Sequence, residues 1–408
     1  MQVAESNNNL VLVIPSILEV HNGKIRVDSD FANNLRAYLT QFDRVDVYCP
    51  AGQSLGGFPA LCDPEDIAGH QRLTLHVLPT PYREDRFLRH YRTVRRQLEQ
   101  GLRAARYRLI SPYAPLNWAS LAAHICIAER LPYNLEADWD LARTSRYILS
   151  QQPRGLKRFY RRARLELHLR DYNRLLRGSA LSLVQGQDVY NTYKHIGPNV
   201  HAVLNVQITA AERITPEEVA AKVAAVTRGE PLRIFYAGRA SEMKGPMQWL
   251  EVMRALKEAG VAFEASWFGD GELADKMRRY CEEHALTDVC KLPGNANKAQ
   301  VLSAMRRAHL FVFCHMGFES PRNLMEAVAS GAPLCGFGTA YSRSLVEPHG
   351  GGAFVERGDC AGLAEMIRRL ANDRGALAQL IEDCARSGQE LDRDKSIQRR
   401  IDLMKQYL

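Results

Sequence analysis

The 408-residue sequence has no apolar run near the roughly 18 to 20 residues that a helical membrane span requires. Its opening stretch, "MQVAESNNNLVLVIPS", lacks the basic n-region and cleavage pattern of a secretory signal, so export is not expected. C-x-x-C pairs are absent as well. The nine cysteines are odd in number and scattered, and Cys49, Cys126, Cys314 and Cys335 fall in apolar runs. This argues against a disulfide framework or a zinc site and for buried free thiols in a reducing cytoplasm. No long low-complexity tract and no nucleic-acid motif occurs, so nucleic acid is not an expected partner. What is present is globular material, 46% apolar and 25% charged, in a chain long enough for two domains.

The net charge of +8 is unevenly spread. Residues 83–108 hold nine arginines against three acids, and residues 154–177 hold nine basic side chains against two. Together they carry +13, which leaves −5 for the rest of the chain. Both segments read as helices, with apolar stripes at Phe87, Tyr91, Val94, Leu98 and Leu102, and at Leu156, Tyr160, Ala163 and Leu167. Such segments are either solvated faces of domain helices or a surface for anionic lipid headgroups, where each Lys or Arg adds on the order of 1 kcal/mol. The lipid reading implies a cytoplasmic protein peripheral to the membrane.

Short β-branched runs alternate with amphipathic helices, the pattern of parallel sheets wound by crossover helices. The first half offers "LVLVIPS", then a loop "ILEVHNGKIRVDSD", the helix "FANNLRAYLTQF", and the strands "VDVYCP", "LTLHVLP", "YRLISPY", "LPYNLEAD" and "ALSLVQG". A polar, Ala-rich run follows, and the pattern restarts at "PLRIFYAGR", continuing through "AFEASWFGDGE", "VCKLPGN", "AHLFVFCH", "APLCGFG" and "GGAFVE". The expected fold is α/β, with two doubly wound Rossmann-like domains facing a central cleft built from loops at the carboxyl ends of the strands. The expected divisions are a first domain at 1–205, a linker at 206–230, a second domain at 231–385, and a last helix at 386–408 that crosses back.

Two stretches of the second half suggest chemistry. "GRASEMKG" places Arg239 and Lys244 on a loop after a strand, where two cations suit a diphosphate. In "GFESPRNLMEAVASGAP", Ser320 reads as an N-cap, Pro321 as the first helical residue, and Gly331 with Pro333 as the stop. Glu319 then lies just outside the positive end of a helix and Glu326 about two turns inside it. Two carboxylates beside an anion site can grip the hydroxyls of a ligand whose phosphate the helix holds.

In their order and spacing, "GRASEMKG", "FGDGE", "LPGN" and "ESPRNLMEAVASGAP" resemble the motifs of retaining glycosyltransferases of family 4, which have the GT-B architecture. The resemblance spans about Leu232 to Glu356, and the first half more loosely. It implies transfer of a sugar from a UDP- or GDP-linked nucleotide-sugar to an acceptor hydroxyl with retention, without a metal or other cofactor. Arg239 and Lys244 would hold the diphosphate, Glu326 the ribose, and Glu319 the donor sugar. Backbone N–H groups at Arg322, Asn323 and Leu324 would meet the phosphate, and Leu292, Pro293, Gly294 and Asn295 would line the base. In the first half, which would be the acceptor side, Gly23 of "HNGK" matches only in part a glycine loop that would approach the donor phosphate, the other reading being an ordinary turn, and Asp138 stands where the family often faces the reacting sugar. One departure stands out. Six residues separate Glu319 from Glu326 where the family has seven, and Phe318 occupies the expected position.

The acceptor is expected to be a glycan or lipid-linked glycan, as in envelope or exopolysaccharide assembly. Rival readings are a metal-dependent transferase using "DSD" (Asp28 to Asp30) or "DWD" (Asp138 to Asp140), and a non-catalytic nucleotide-sugar-binding or membrane-associated scaffold of the same fold. A soluble natural-product glycosyltransferase, an epimerase or a phosphorylase are further alternatives. His315 and His349 read as a core or rim histidine and a turn residue.

Overall fold

The computed structural model describes residues 7–15, 18–52, 60–81, 84–113, 117–153 and 155–408. Arg83 and Arg154, the first residues of the two basic segments, lie outside them. The chain forms two compact units, one of residues 1–205 and 394–408 and the other of residues 206–393.

The strands of the first unit are β1 (Asn9–Val13), β2 (Leu18–His21), β3 (Lys24–Asp28), β4 (Arg44–Gly52), β5 (Leu61–Cys62), β6 (Leu73–Leu78), β7 (Tyr107–Ile110), β8 (Asn134–Ala137), β9 (Leu181–Gln185) and β10 (Val200–Val203). The parallel part runs β10-β9-β8-β7-β1-β4-β6. The order reverses between β1 and β7, the signature of double winding. Alternate residues of β1 feed two cores, Val11 and Val13 on one face and Leu10 and Leu12 on the other. A strand covered on both faces needs an unbroken apolar run, and "LVLV" supplies it.

The expected loop after β1 is instead the antiparallel hairpin β2–β3. Its two-residue turn is Asn22-Gly23, with φ of 50° and 76°. Positive φ at both central residues matches the twist of a tight hairpin, and Asn-Gly is the pair that reaches it most easily. Alternating "LEVH" and "KIRVD" around that dipeptide was the missed signal.

In the second unit, β11 (Leu232–Ala237), β12 (Phe263–Phe268), β13 (Cys290–Gly294), β14 (Leu310–Phe313), β15 (Leu334–Phe337) and β16 (Gly352–Val355) form one parallel sheet, ordered β13-β12-β11-β14-β15-β16. In sequence order this is 3-2-1-4-5-6, with the switch point between β11 and β14.

The run 206–230, expected as a linker, carries a helix. Thr215 and Glu218 close a capping box around Pro216–Thr227, and Lys222 is buried. The Nζ of Lys222 donates to the carbonyls of Ser330 and Gly331, 3.0 and 2.8 Å away. Helix Arg374–Gln389 runs across residue 386, so only 394–408 cluster with the first unit. All nine cysteines are free thiols, and only Cys62 is less than buried.

The stripe Phe87, Val94, Leu98 and Leu102 of helix Glu84–Ala104 is buried as its spacing implies. The second stripe is not. Leu156, Tyr160 and Leu167 are exposed, and helix Leu156–Gly178 buries only Leu169, Tyr172, Leu175 and Leu176. The basic segment 83–108 also includes one cation that is not surface. Arg108 is buried, and its guanidinium donates to the carbonyls of Leu102, Ala105, Arg106 and Pro132.

Candidate functional site

The loops after β11, β12 and β13 are laced by backbone hydrogen bonds at the carboxyl edge of the second sheet. The N–H of Gly238 donates to Phe268, that of Gly269 to Gly294, and that of Ala240 to Asp270, at 2.8, 2.7 and 3.0 Å. The Asn295 side chain accepts from the N–H of Asp270 at 3.1 Å. Arg239 is exposed on this edge, and the single turn Glu242–Lys244 follows it. Gly245 closes the loop at φ 65°, where an added Cβ would collide with the carbonyl of Cys314 at the end of β14. The glycine thus lets the β11 loop lie against the β14 loop across the switch point.

On the far side of that switch point, the N–H groups of Met316 and Gly317 donate to the carbonyl of Met243 at 2.9 and 3.0 Å. This contact brings Lys244 and Glu319 together as an ion pair of 2.6 Å, with side chains 17% and 23% exposed. Phe318, at the position where the family pattern has its glutamate, lies under the guanidinium of Arg357, 4.0 Å from ring centroid to charge.

The helix after Glu319 begins one residue later than expected, at Arg322, with Pro321 as its cap rather than Ser320. Proline has no side-chain acceptor, so the cap itself takes none of the N–H groups of the first turn. Ser320 is buried, which ties it to the loop. The Asn323 side chain donates to the carbonyl of Ala237 at 2.6 Å and fixes the helix start against the end of β11. Beneath it, the hydroxyl of Tyr236 lies 2.7 Å from Nε2 of His315. Burial, then the charges of Lys244 and Arg357, hold His315 well below the usual histidine range, so it is a neutral core group. Burial likewise pushes the Tyr236 phenol well up. Asn323, Tyr236 and His315 act here as side-chain braces; sequence reasoning used only the backbone of Asn323, and nothing in the spacing of these residues advertises their contacts.

Pro293 and Asn295 line a groove of about 620 Å³ with Phe268, Ala299 and Gln300. Leu292 and Gly294 belong to β13 beside it. Glu326 is half-buried one turn into the helix, and Leu324 is buried. Because the helix starts late, Glu326 lies one residue nearer its N-terminus than expected. The second unit therefore gathers Arg239, Lys244, Glu319, the helix start and the β13 segment along one sheet edge.

Gly23 and Asp138 belong to the first unit. Gly23 is exposed at the tip of the hairpin turn. Asp138 follows β8 and lines a cavity of about 100 Å³ at the β1/β7 switch point, with Asn34, Ser111, Glu136 and Arg400. Glu136 and Arg400 pair there, and sequence reasoning named neither. Burial pushes the Glu136 carboxyl up, against the pull of the Arg400 guanidinium.

The two Asp-x-Asp matches have other work. Asp28 caps helix Ser29–Gln41 by accepting from the N–H of Phe31. Asp140, fully buried, caps helix Leu141–Ser150 by accepting from the N–H of Arg143. Each motif has one carboxylate engaged in helix capping, and among the described residues no group of three His, Cys, Asp or Glu is placed to hold a metal ion.

Residues 220–388 match the family model described as Glycosyl transferases group 1. That match lies within the second unit. Among curated proteins, the colanic acid biosynthesis glycosyltransferase WcaL of Escherichia coli K12 is 30% identical over 159 residues, 37% of this chain and 39% of that protein. The amylovoran biosynthesis glycosyltransferase AmsK of Erwinia amylovora is 27% identical over 158 residues, again 37% and 39%. The similarity thus spans well under half the length of these relatives. Among solved structures, Alr3699/HepE of Anabaena, crystallised in complex with UDP, superposes with a TM-score of 0.69 over 98% of this chain and 100% of its own, at 14% identity. The fold is GT-B, as the motif resemblance implied, with the two Rossmann-like domains that the alternation of elements implied.

Proposed function

We propose that this protein is a glycosyltransferase that moves a sugar from a nucleoside-diphosphate sugar, UDP- or GDP-linked, to a hydroxyl of a glycan or lipid-linked glycan acceptor. The observation that carries the reading is the Lys244–Glu319 pair at the β11/β14 switch point, beside a helix start whose cap is proline. Cations and the N–H groups of a helix start at that place suit a diphosphate, and a carboxylate next to them suits sugar hydroxyls.

In this reading Arg239 and Lys244 neutralise the diphosphate, which gains charge as its bond to the sugar breaks. The N–H groups of Arg322 and Asn323 receive a phosphate oxygen. Glu326 binds the ribose, Glu319 the donor sugar, and the β13 segment Leu292 to Asn295 the base. The glycosidic bond forms between the acceptor oxygen and the anomeric carbon as the carbon–phosphate oxygen bond breaks. The acceptor proton passes to the leaving phosphate on the same face, so configuration is retained. No metal or cofactor enters, because side chains and a helix end supply the positive charge. The relatives are named for the biosynthesis of colanic acid and amylovoran, which supports an exopolysaccharide acceptor.

The test is a thermal-shift panel of UDP, GDP, ADP and their sugar conjugates on wild type, Arg239→Ala, Glu319→Ala and Glu326→Ala. A nucleotide at 100 times its Kd stabilises by about 2.7 kcal/mol. One base should stabilise the wild type, with the gain lost in Arg239→Ala and Glu326→Ala. Glu319→Ala should lose only the extra gain from the sugar conjugate. If no nucleotide shifts the wild type, the donor-site assignment is wrong.

A further inference from the structure

The first unit contains a helical hairpin with a surface that its own fold leaves uncovered. Helix Leu141–Ser150 is followed in the chain by helix Leu156–Gly178. Arg146 pairs with Glu166 across the hairpin at 3.1 Å. At the turn, Arg158 donates to the Gln152 carbonyl at 3.1 Å and Arg161 to the Gln152 side chain at 2.6 Å.

The anchoring of the second helix lies in its later half. Its first buried residue is Leu169, and residues 156–164 contain none. Leu156 is 89% exposed, Phe159 72%, Tyr160 66% and Leu167 63%. Their spacing puts them on one stripe of the helix. Among the described residues eight large apolar side chains are exposed, and five of them, Ile148 included, lie on this hairpin. Single exposed apolar residues are ordinary, but such a concentration marks a contact surface.

Charge identifies the contact. Lys157, Arg161, Arg162 and Arg164 are exposed on the same helix, with Lys157, Arg162 and Arg164 nearer the stripe than Arg161, and Arg158 is half-buried. Glu166, the one acid between residues 156 and 170, is engaged by Arg146. An apolar stripe edged by cations, with a tyrosine at its margin, is the chemistry of a helix lying in a lipid headgroup layer. A protein partner would have to present acids to these cations and also cover the apolar stripe, whereas an anionic bilayer meets both demands at once.

We propose that the tip of this hairpin docks on an anionic lipid bilayer, with Leu156, Phe159 and Tyr160 at the boundary between headgroups and acyl chains and the flanking cations on lipid phosphates. This rests on the membrane-proximal reading above and assigns it a surface.

The experiment is sedimentation of the full chain with vesicles of phosphatidylcholine alone and of phosphatidylcholine mixed with phosphatidylglycerol. Wild type should bind the mixed vesicles, less as salt rises, and leave the neutral ones unbound. L156S/F159S should lower partitioning about tenfold by removing the buried apolar contact. R161A/R162A/R164A should lower it about a hundredfold, at roughly fivefold per charge. All five substitutions fall on exposed positions of the first unit, so the nucleotide-induced thermal shift should be unchanged in both variants. Failure of wild type to bind mixed vesicles, equal binding to neutral ones, or wild-type binding by the variants would overturn the proposal. So would a dimer seen by analytical centrifugation that L156S/F159S dissolves while vesicle binding persists, since a second copy would then occupy the stripe. Vesicle binding without any nucleotide effect would sink the donor-site reading and leave this one standing.

Discussion

Lys222 shows how much one side chain can report. It is an ammonium group buried beneath the far end of the helix that starts at Arg322, and it holds the carbonyls of Ser330 and Gly331. Loss of hydration, before any nearby charge, lowers its pKa from 10.5 to about 7. Between those values the unfolded chain binds more protons than the folded protein, so stability rises with pH across that window. The slope approaches about 1.4 kcal/mol per pH unit where the two states differ by a full proton. Below about pH 7 the burial penalty of the charged form is carried in full. The neighbouring thiol of Cys384 is pushed up to about 12 and stays protonated throughout this range. Urea unfolding of wild type and Lys222→Met at about pH 6.5 and 8.5 checks this. The stability of the wild type relative to the variant should increase with pH, and a gap that does not change with pH would mean that Lys222 is not the titrating group.

At the scale of elements, the helix Arg322–Ala329 poses a conflict between stability and binding. Serine in place of Pro321 would supply a side-chain acceptor to the first turn, a change worth about 1 kcal/mol in favour of the helix. The φ of −72° and ψ of 134° at that position suit a serine cap without rearrangement. That acceptor would take an N–H group which the proposed function gives to the diphosphate. Pro321→Ser should therefore raise the melting temperature of the free protein by a few degrees and weaken nucleotide binding about tenfold in a titration. If both stability and affinity rise, the helix start is not where the phosphate binds. Much of this element was legible in advance, since Gly331 and Pro333 announced its end and "GRASEMKG" its facing loop. Its start was read one residue early because Ser320 and Pro321 fit either register locally. The pairing of Lys244 with Glu319 was not legible at all. It depends on the β14 loop reaching Met243, a contact between residues 73 or more positions apart that no local pattern encodes. The exposed stripe at Leu156 failed for the opposite reason: periodicity shows that one face is apolar, and the fold decides whether anything covers it.

At the scale of the molecule, the chain leaves the first unit after residue 205 and re-enters it at residue 394. Re-entry depends on helix Arg393–Tyr407, which puts Ile397, Ile401 and Met404 into the core on the face of the sheet that carries Leu10 and Leu12. The same helix buries Arg400 against Glu136, with a second contact to the Gln185 side chain at 3.3 Å. A buried ion pair adds little over a well-packed apolar pair, yet breaking it by removing one partner costs about 3 to 5 kcal/mol because the other charge stays buried alone. Arg400→Met should therefore destabilise the first unit by that amount, and Glu136→Leu with Arg400→Met should recover most of it. Two units need not unfold together, so calorimetry with and without the stabilising nucleotide separates them. The transition lowered by Arg400→Met should be the one that nucleotide leaves in place, and the nucleotide-sensitive transition should keep its temperature. Equal destabilisation by the single and double variants would mean that lost packing, rather than a stranded carboxylate, is what Arg400 prevents.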